Sequence, residues 1–421
     1  EISVSEVGVV LDTYYLESSA LFVVSIDTTY WGDVGTFEFH LNVIWSGSPF
    51  YQNRTGVAVT LELRYRYTSL THGSYDSVQY YNNLTLNFFY TDLDDNSLSG
   101  MDGSELTLDS WLSDYYSVHD NGDGTYTIQL NTSAFVSLGV FRVNATIIYG
   151  GERFAANASD YFYLTITRRR TQLTSDLPDL APFLTQANIT IQYIDDNNGL
   201  GIENANVFIS SETSAETLEK GVNYWIDSLG DGNYRIRIST EALGTFGSYS
   251  IDIIVNYTGS PFFTQKSTTV DIEVSRRPLE LSVSESPLNT AYLQNVTFEI
   301  TVTDSLVESL VSINKGQLVL KHGSDILLLD SEYVLTGSSG VYIISINSTI
   351  LVSKLAQGYP LFVEIQWGDE APFYSNASAS TEVSITARFT QAAVLSTPPA
   401  FINFNGTAII EYTDYLSGDP I

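Results

Sequence analysis

Trp45-Ser46-Gly47-Ser48-Pro49-Phe50 (WSGSPF) joins two alternating apolar runs, and its reading decides the fold. Before it, Phe37, Phe39, Leu41, Val43 and Trp45 share one phase, with Glu38, His40 and Asn42 on the other. After it, Val57, Val59, Leu61 and Leu63 resume the same alternation. A period of two places successive side chains on opposite faces, the pattern of a half-buried strand. Gly and Pro between two such runs mark a hairpin connection. The corner returns as YGGERF from Tyr149, YTGSPF from Tyr257 and WGDEAPF from Trp367, at spacings of 104, 108 and 110 residues. A corner repeated at that interval marks a repeated β domain.

Other segments recur with it. NLTLNFFYTD from Asn83 returns as NITIQYIDD from Asn188, NVTFEITVTD from Asn295 and NGTAIIEYTD from Asn405. GTYTIQLNT from Gly124 returns as GNYRIRIST from Gly232 and GVYIISINS from Gly340. About seven strand-like runs fill each repeat of roughly 105 residues, enough for an independent core. Seven short antiparallel strands without helical periodicity predict an all-β chain of tandem immunoglobulin-like β-sandwiches. Tyr126, Tyr234 and Tyr342 are expected in equivalent buried positions.

The segment IQYIDDNNGLGIENANVFIS from Ile191, with DNGDGTYTIQL from Asp120 and LGDGNYRIRI from Leu229, resembles prokaryotic immunoglobulin-like surface domains. The family is that of tandem immunoglobulin-like (Big/invasin-like) repeat arrays of bacterial and archaeal cell-surface proteins. The resemblance implies a cell-surface array, archaeal by expectation, and these motifs are turn chemistry and strand pattern, so they speak to fold rather than activity. Unlike vertebrate immunoglobulin domains, the chain has no Cys, and the sandwiches must form without disulfides.

Composition narrows the function classes. A formal net charge of −31 argues against binding nucleic acid or an anionic membrane. No apolar run approaches the roughly 18 residues of a membrane span. His40, His72, His119 and His322 are isolated, and no GxSxG, phosphate-cradling Gly loop or HExxH occurs. No catalytic or cofactor-binding residue is therefore assigned, and no enzyme is expected.

The candidate sites are Asn-X-Ser/Thr sequons at Asn53, Asn83, Asn131, Asn144, Asn157, Asn188, Asn256, Asn295, Asn347, Asn376 and Asn405. Asn83, Asn188, Asn295 and Asn405 align at one position of the repeat. Asn53, Asn157 and Asn376 align at a second, where the remaining repeat has Lys266, and Asn131 and Asn347 at a third. Strand phase puts Asn83 and Asn131 opposite the apolar face, so N-linked glycans there would project into solvent. The spacing predicts N-glycosylation, and with it an extracellular or cell-surface location.

Two charged features recur. Asp92, Asp195, Asp304 and Asp414 end one strand in every repeat, and two copies continue with Asp94, Asp95 and Asn96, or Asp196, Asn197 and Asn198. Clustered carboxylate and amide oxygens suit calcium at domain junctions, and they equally suit Asx turns, the reading favoured here. Arginines (Arg64 and Arg66; Arg168, Arg169 and Arg170; Arg276 and Arg277; Arg388) close the last strand of each repeat without a flexible spacer following, which predicts tight junctions.

The sequence divides as 1–72, the later strands of one domain; 73–175, 176–282 and 283–393, three whole domains; and 394–421, the first strands of another. Glu1 aligns with Glu105, and the tail aligns with the strands the first segment lacks. The expected function is an extracellular structural protein forming a filament, sheath or S-layer by head-to-tail, strand-complementing self-assembly. The alternatives are a window of a longer array, and a stalked adhesin or carbohydrate-binding array.

Overall fold

The computed structural model describes residues 1–421 except 6–10, 17–20, 95–103, 151–153, 352–355, 401, 403 and 404. Asp95 and Asn96 thus lie outside the described residues. The regular structure is nearly all β, in tandem immunoglobulin-like sandwiches without disulfides, as the alternating pattern requires. It divides into two compact units. One comprises residues 1–171 with the loops 195–199 and 257–264; the other comprises 172–194, 200–256 and 265–421.

The first unit holds one whole sandwich. One sheet has the order Tyr116–Asp120, Thr125–Asn131, Asn83–Asp92, Thr68–His72. The other has the order Val78–Gln79, Ala158–Thr167, Gly139–Tyr149, Ser104–Leu108. This is the immunoglobulin arrangement, four strands against four, with Val78–Gln79 running parallel to the last strand, Ile166 opposite Val78. Between the sheets lie Leu86, Phe88, Tyr90, Tyr126, Ile128, Leu130, Val143, Ile147 and Leu164, all buried. They are the inward phase of their strands, which is why alternation alone located them.

The same order occurs twice more, in strands that lie almost wholly in the second unit. Thr171–Ser175, Gln186–Asp195, Asn233–Ser239 and Tyr224–Gly230 make one sheet, and Ala181–Pro182, Lys266–Ser275, Gly247–Asn256 and Asn206–Ser210 the other. The next sandwich pairs Leu279–Val283, Asn295–Asp304, Val341–Asn347 and Tyr333–Ser338, and opposes Leu288–Ala291, Ala377–Thr386, Ala356–Ile365, Leu318–His322 and Asp325–Leu327. Tyr126, Tyr234 and Tyr342 are buried at one register position, opposite Phe88, Ile191 and Ile300. Each hydroxyl is satisfied by backbone: Ser104 and Ala205 amides donate to the first two, and Ile313 donates to the third.

The first strand of each sandwich begins flush against the preceding arginine. Thr68–His72 pairs with Asn83–Asp92, and Leu279–Val283 with Asn295–Asp304. The sandwiches therefore start about five residues before the 73, 176 and 283 read from sequence, because a junction without a spacer leaves no compositional mark.

Partial sandwiches flank these. In Glu1–Leu63 the sheet Ile2–Val4, Gly35–Val43, Arg54–Leu63 stands beside the hairpin Leu11–Leu16, Leu21–Ile26. Ile2 faces Val43 as Leu106 faces Ile147, so this segment matches the fourth to eighth of the eight strand positions rather than the earlier ones. Thr390–Ser396 and Ile409–Asp414 form a two-stranded hairpin, the counterpart of those earlier strands.

Candidate functional site

The recurring arginine and the recurring aspartate meet. Arg169 ends one sandwich, and its Nε lies 2.8 Å from Asp195 Oδ2 at the end of the strand Gln186–Asp195. Its Nη1 donates to the Tyr80 carbonyl at 3.0 Å and to Asn82 Oδ1 at 3.1 Å. Arg277 repeats this with Asp304 and, at 3.1 Å, the Phe183 carbonyl. Arg388 pairs with Asp414 and donates to the Tyr292 carbonyl at 3.3 Å. Arg66 places Nε 2.6 Å from Asp92 Oδ2, but off the hydrogen-bonding direction. The guanidinium groups of Arg169, Arg277 and Arg388 thus each span two groups that the strand order sets at a sandwich end, a task the rigid fork performs and a lysine could not.

The corners hold three of these arginines by their backbone. Arg66 N–H donates to the Phe154 carbonyl at 3.0 Å, and Ala156 N–H donates back to the Arg66 carbonyl at 3.0 Å. Arg169 is gripped in the same way by Phe262 and Thr264, at 2.8 and 2.9 Å, and Arg277 by Phe373 and Ser375, at 3.0 and 2.8 Å. Phe154 and Phe373 adopt left-handed backbone, with φ of 47° and 55°, to turn these carbonyls toward the arginine. The repeated corner is therefore a junction clamp as well as a hairpin loop. Aromatic rings close over it: Tyr80 packs edge-on against Phe262 at 4.9 Å, and Phe183 against Phe373 at 4.8 Å.

Burial sets the electrostatics. Asp92, Asp195 and Asp304 are buried, and Asp304 also accepts from Leu306 N–H at 2.9 Å and Tyr374 OH at 3.0 Å. Burial pulls the Asp304 carboxyl upward; the Arg277 guanidinium and those two donors outweigh it and hold the group below the ordinary value. Asp414 is lowered to about 2, chiefly by Arg388. Several of the residues weighed as calcium ligands are engaged otherwise. The four strand-ending aspartates face guanidinium, Asp94 binds Arg64 in bidentate fashion at 2.9 and 3.0 Å, and Asn197 turns to Gln79 Oε1 at 2.6 Å. The Asx-turn reading holds locally, since Asp92, Asp195 and Asp304 each accept an amide two residues on. Among the described residues no three His, Cys, Asp or Glu side chains come together as a metal site.

Sequence reading singled out both partners but not their pairing. A signal existed: the arginine precedes its aspartate by 26, 27 and 26 residues in the junctions of Arg169, Arg277 and Arg388.

Of the sequon asparagines, Asn53, Asn83, Asn144, Asn157, Asn188, Asn295, Asn347, Asn376 and Asn405 are exposed, and Asn131 and Asn256 are half-buried. Their registers differ in part from the sequence alignment. Asn83 faces Asn131 and Asn295 faces Asn347, but Gln186, not Asn188, holds the matching place opposite Ser239. Asn188 stands two positions inward, opposite Arg237. The slip escaped notice because a shift of two keeps the same face. At the corner position the third repeat offers Gln265 rather than Lys266, since Lys266 pairs with Val255 as Ala158 does with Ile147. Asn53 and Asn376 accept the amides of Trp45 and Trp367 through Oδ1, at 2.8 and 2.9 Å. Asn144 differs, because its Nδ2 donates to Asp109 at 3.0 Å.

No protein-family model matches the chain, and no curated protein matches it. Among solved structures it is similar to tandem immunoglobulin domains. The titin I-band fragment I67–I69 is 10% identical over 76% of this chain and 97% of that one, with a TM-score of 0.28. Dpr2 Ig1–Ig2 in complex with DIP-Theta Ig1–Ig3 is 10% identical over 75% and 99%, with a TM-score of 0.23. Titin Z1Z2 in complex with telethonin is 10% identical over 52% and 98%, at 0.29. The immunoglobulin assignment rests on the chain's own strand order. No helix among the described residues is long and apolar enough to cross a membrane.

Proposed function

We propose that this protein is a non-catalytic, N-glycosylated structural component of an extracellular surface, a filament, sheath or S-layer, whose copies join head to tail by completing one another's sandwiches. One observation carries the reading: the two partial sandwiches are complementary. Glu1–Leu63 has the later strand positions, and Thr390–Ser396 and Ile409–Asp414 match the first and third. Ile410 and Tyr412 hold the places of Phe88 and Tyr90, yet they are 58% and 46% exposed where those two are fully buried. Leaving two such side chains in water costs about 1.5–3 kcal/mol each relative to burial. Unpaired strand edges add to that cost. A second copy's Glu1–Leu63 supplies the sheets that cover both.

The reading needs no calcium, because a guanidinium stands where a junction cation would act. Exposed sequons on strand faces and corners would clothe the fibre in glycan without obstructing its ends. The test is electron microscopy and light scattering of the full-length chain, alone and without residues 390–421. Fibres from the full chain and monomers from the truncated one support the proposal. Equal behaviour of the two, as monomers or as fibres, refutes it.

A further inference from the structure

Each whole sandwich sets a piece of its first strand beside its last strand, and the two run parallel. Val78 and Gln79 face Ile166 and Thr167, Ala181 and Pro182 face Val274 and Ser275, and Leu288–Ala291 faces residues 383–386. The chain enters and leaves a sandwich at opposite ends. Thr68 lies beside Asp92, where the strand Asn83–Asp92 finishes, and Thr167 lies beside Gln79, just before that strand begins. Tension along the backbone therefore draws two parallel neighbours in opposite directions. Hydrogen bonds between them run across that pull, so they share the load instead of breaking one at a time.

The junction arginine lengthens this ladder by one rung. Tyr80, Phe183 and Tyr292 follow the three parallel segments, and their amides donate to the Thr167, Ser275 and Thr386 carbonyls at 2.9, 3.0 and 3.0 Å. Their own carbonyls accept from Arg169, Arg277 and Arg388, at 3.0, 3.1 and 3.3 Å. Each arginine stands two residues beyond the carbonyl that its rung follows. A threonine hydroxyl adds a further rung in two sandwiches, Thr167 to the Val78 carbonyl at 3.1 Å and Thr386 to that of Thr290 at 3.3 Å.

Arg169 and Arg277 also hold Asp195 and Asp304 of the following sandwich. Pull arriving from that sandwich thus reaches the guanidinium directly, and through it the first strand of the sandwich behind. No flexible spacer takes up extension first, since Thr171–Ser175 and Leu279–Val283 start two residues after Arg169 and Arg277.

We propose that the protein carries tension along its backbone, and that in each whole sandwich the junction arginine is the rung that takes the load at the exit end. Its charge-assisted bond stands where the pull enters. A tethered stalk and a filament would load it alike.

Force spectroscopy of single full-length chains, held by their two ends, tests this without any need for assembly or glycan. Each whole sandwich should yield in one step that releases about 300 Å of chain. Gly/Ser insertions of about twenty residues lengthen one step by about 70 Å and so label it. Exposed sites for them are Glu212–Thr213, in the sandwich that Arg277 ends, and the Gly323–Ser324 turn of the next. Under rising load the Gly323-labelled sandwich should yield last of the three, because its parallel segment pairs at four positions against two. If it yields first, the ladder does not carry the load. Arg277→Lys keeps a cation facing Asp304 but cannot also span to the Phe183 carbonyl. The Glu212-labelled sandwich should then rupture about tenfold faster at a fixed load. A change below threefold there overturns the proposal and leaves the arginine as a junction tie only. Thr167→Val, which keeps the side-chain shape, guards against a misfolded arginine variant. Loss of its rung should speed rupture of the unlabelled sandwich about threefold, and an unchanged rate overturns the ladder.

Discussion

Removing Arg277 tests whether the arginine junction holds the sandwiches or merely decorates them. Arg277→Ala leaves the Asp304 carboxylate in a site that is 1% exposed, with its principal countercharge gone. Breaking a buried pair from one side costs about 3–5 kcal/mol, because the remaining charge stays desolvated. Asp304 retains the Leu306 amide and the Tyr374 hydroxyl, which places the expected cost at the lower end. Loss of the donor to the Phe183 carbonyl contributes about 1 kcal/mol more. A total near 4 kcal/mol raises the local opening constant nearly a thousandfold.

Hydrogen exchange on the full-length chain measures this where it occurs. Amides of Asn295–Asp304 and Val341–Asn347 should lose protection by that factor, while Asn83–Asp92 in the other unit serves as internal control. Arg277→Leu combined with Asp304→Leu should recover most of the loss, since apolar residues of similar volume often replace a buried pair at little cost. A single variant that changes protection by less than threefold, or a double variant as damaged as the single, refutes the reasoning.

The Asp304 carboxyl is depressed in the folded state, so its contribution is present above the unfolded value of about 3.8 and is lost as pH falls through the lower folded value. The stability gap between wild type and Asp304→Asn should be constant from pH 7 to 5 and close below about pH 4, as followed by exchange or thermal melts. Gly232→Ala should unfold its sandwich, because φ is +72° and an added Cβ would lie 2.3 Å from the Tyr193 carbonyl oxygen; melting and proteolysis would show it. Glycopeptide mass spectrometry of native material should find Asn83, Asn188 and Asn295 occupied more fully than Asn131 or Asn144, the Asn144 amide being held by Asp109. Chelation with EDTA should leave melting and assembly unchanged; a drop in melting temperature above about 5 °C would restore calcium to the junctions.

The sheets were legible because burial on one face imposes period two on every strand, and Phe88, Tyr126 and Ile300 fall on the inward phase that alternation identifies. The arrangement of the repeat was legible because each corner carries Gly, Pro and aromatics at fixed places. What stayed hidden was pairing between residues on different strands. Arg169 and Asp195 each stood out alone, and Asp195 beside Asp196 and Asn197 reads as a turn or a cation site until strand order brings Arg169 to it. Register to within two residues was equally out of reach, as Asn188 shows, because side-chain phase is blind to even slips.

The arginine also explains why one chain makes the same corner four times. A buried carboxylate at a sandwich end needs a cation that cannot leave, and the chain carries only 18 Lys and Arg against 49 Asp and Glu. A diffusible metal would serve only at the concentrations its surroundings supply, whereas a guanidinium is covalently present and remains charged at any physiological pH. Its long side chain must still be aimed, and rotamer freedom of that size is costly to freeze at an open strand end. The corner meets this need by pinning the arginine's own N–H and C=O, so the side chain leaves a fixed backbone toward the aspartate and the strand-end carbonyl. Clamp, cation and carboxylate are thus one device drawn from two consecutive repeats. None of the three can be altered in one repeat without spoiling the junction it shares with the next.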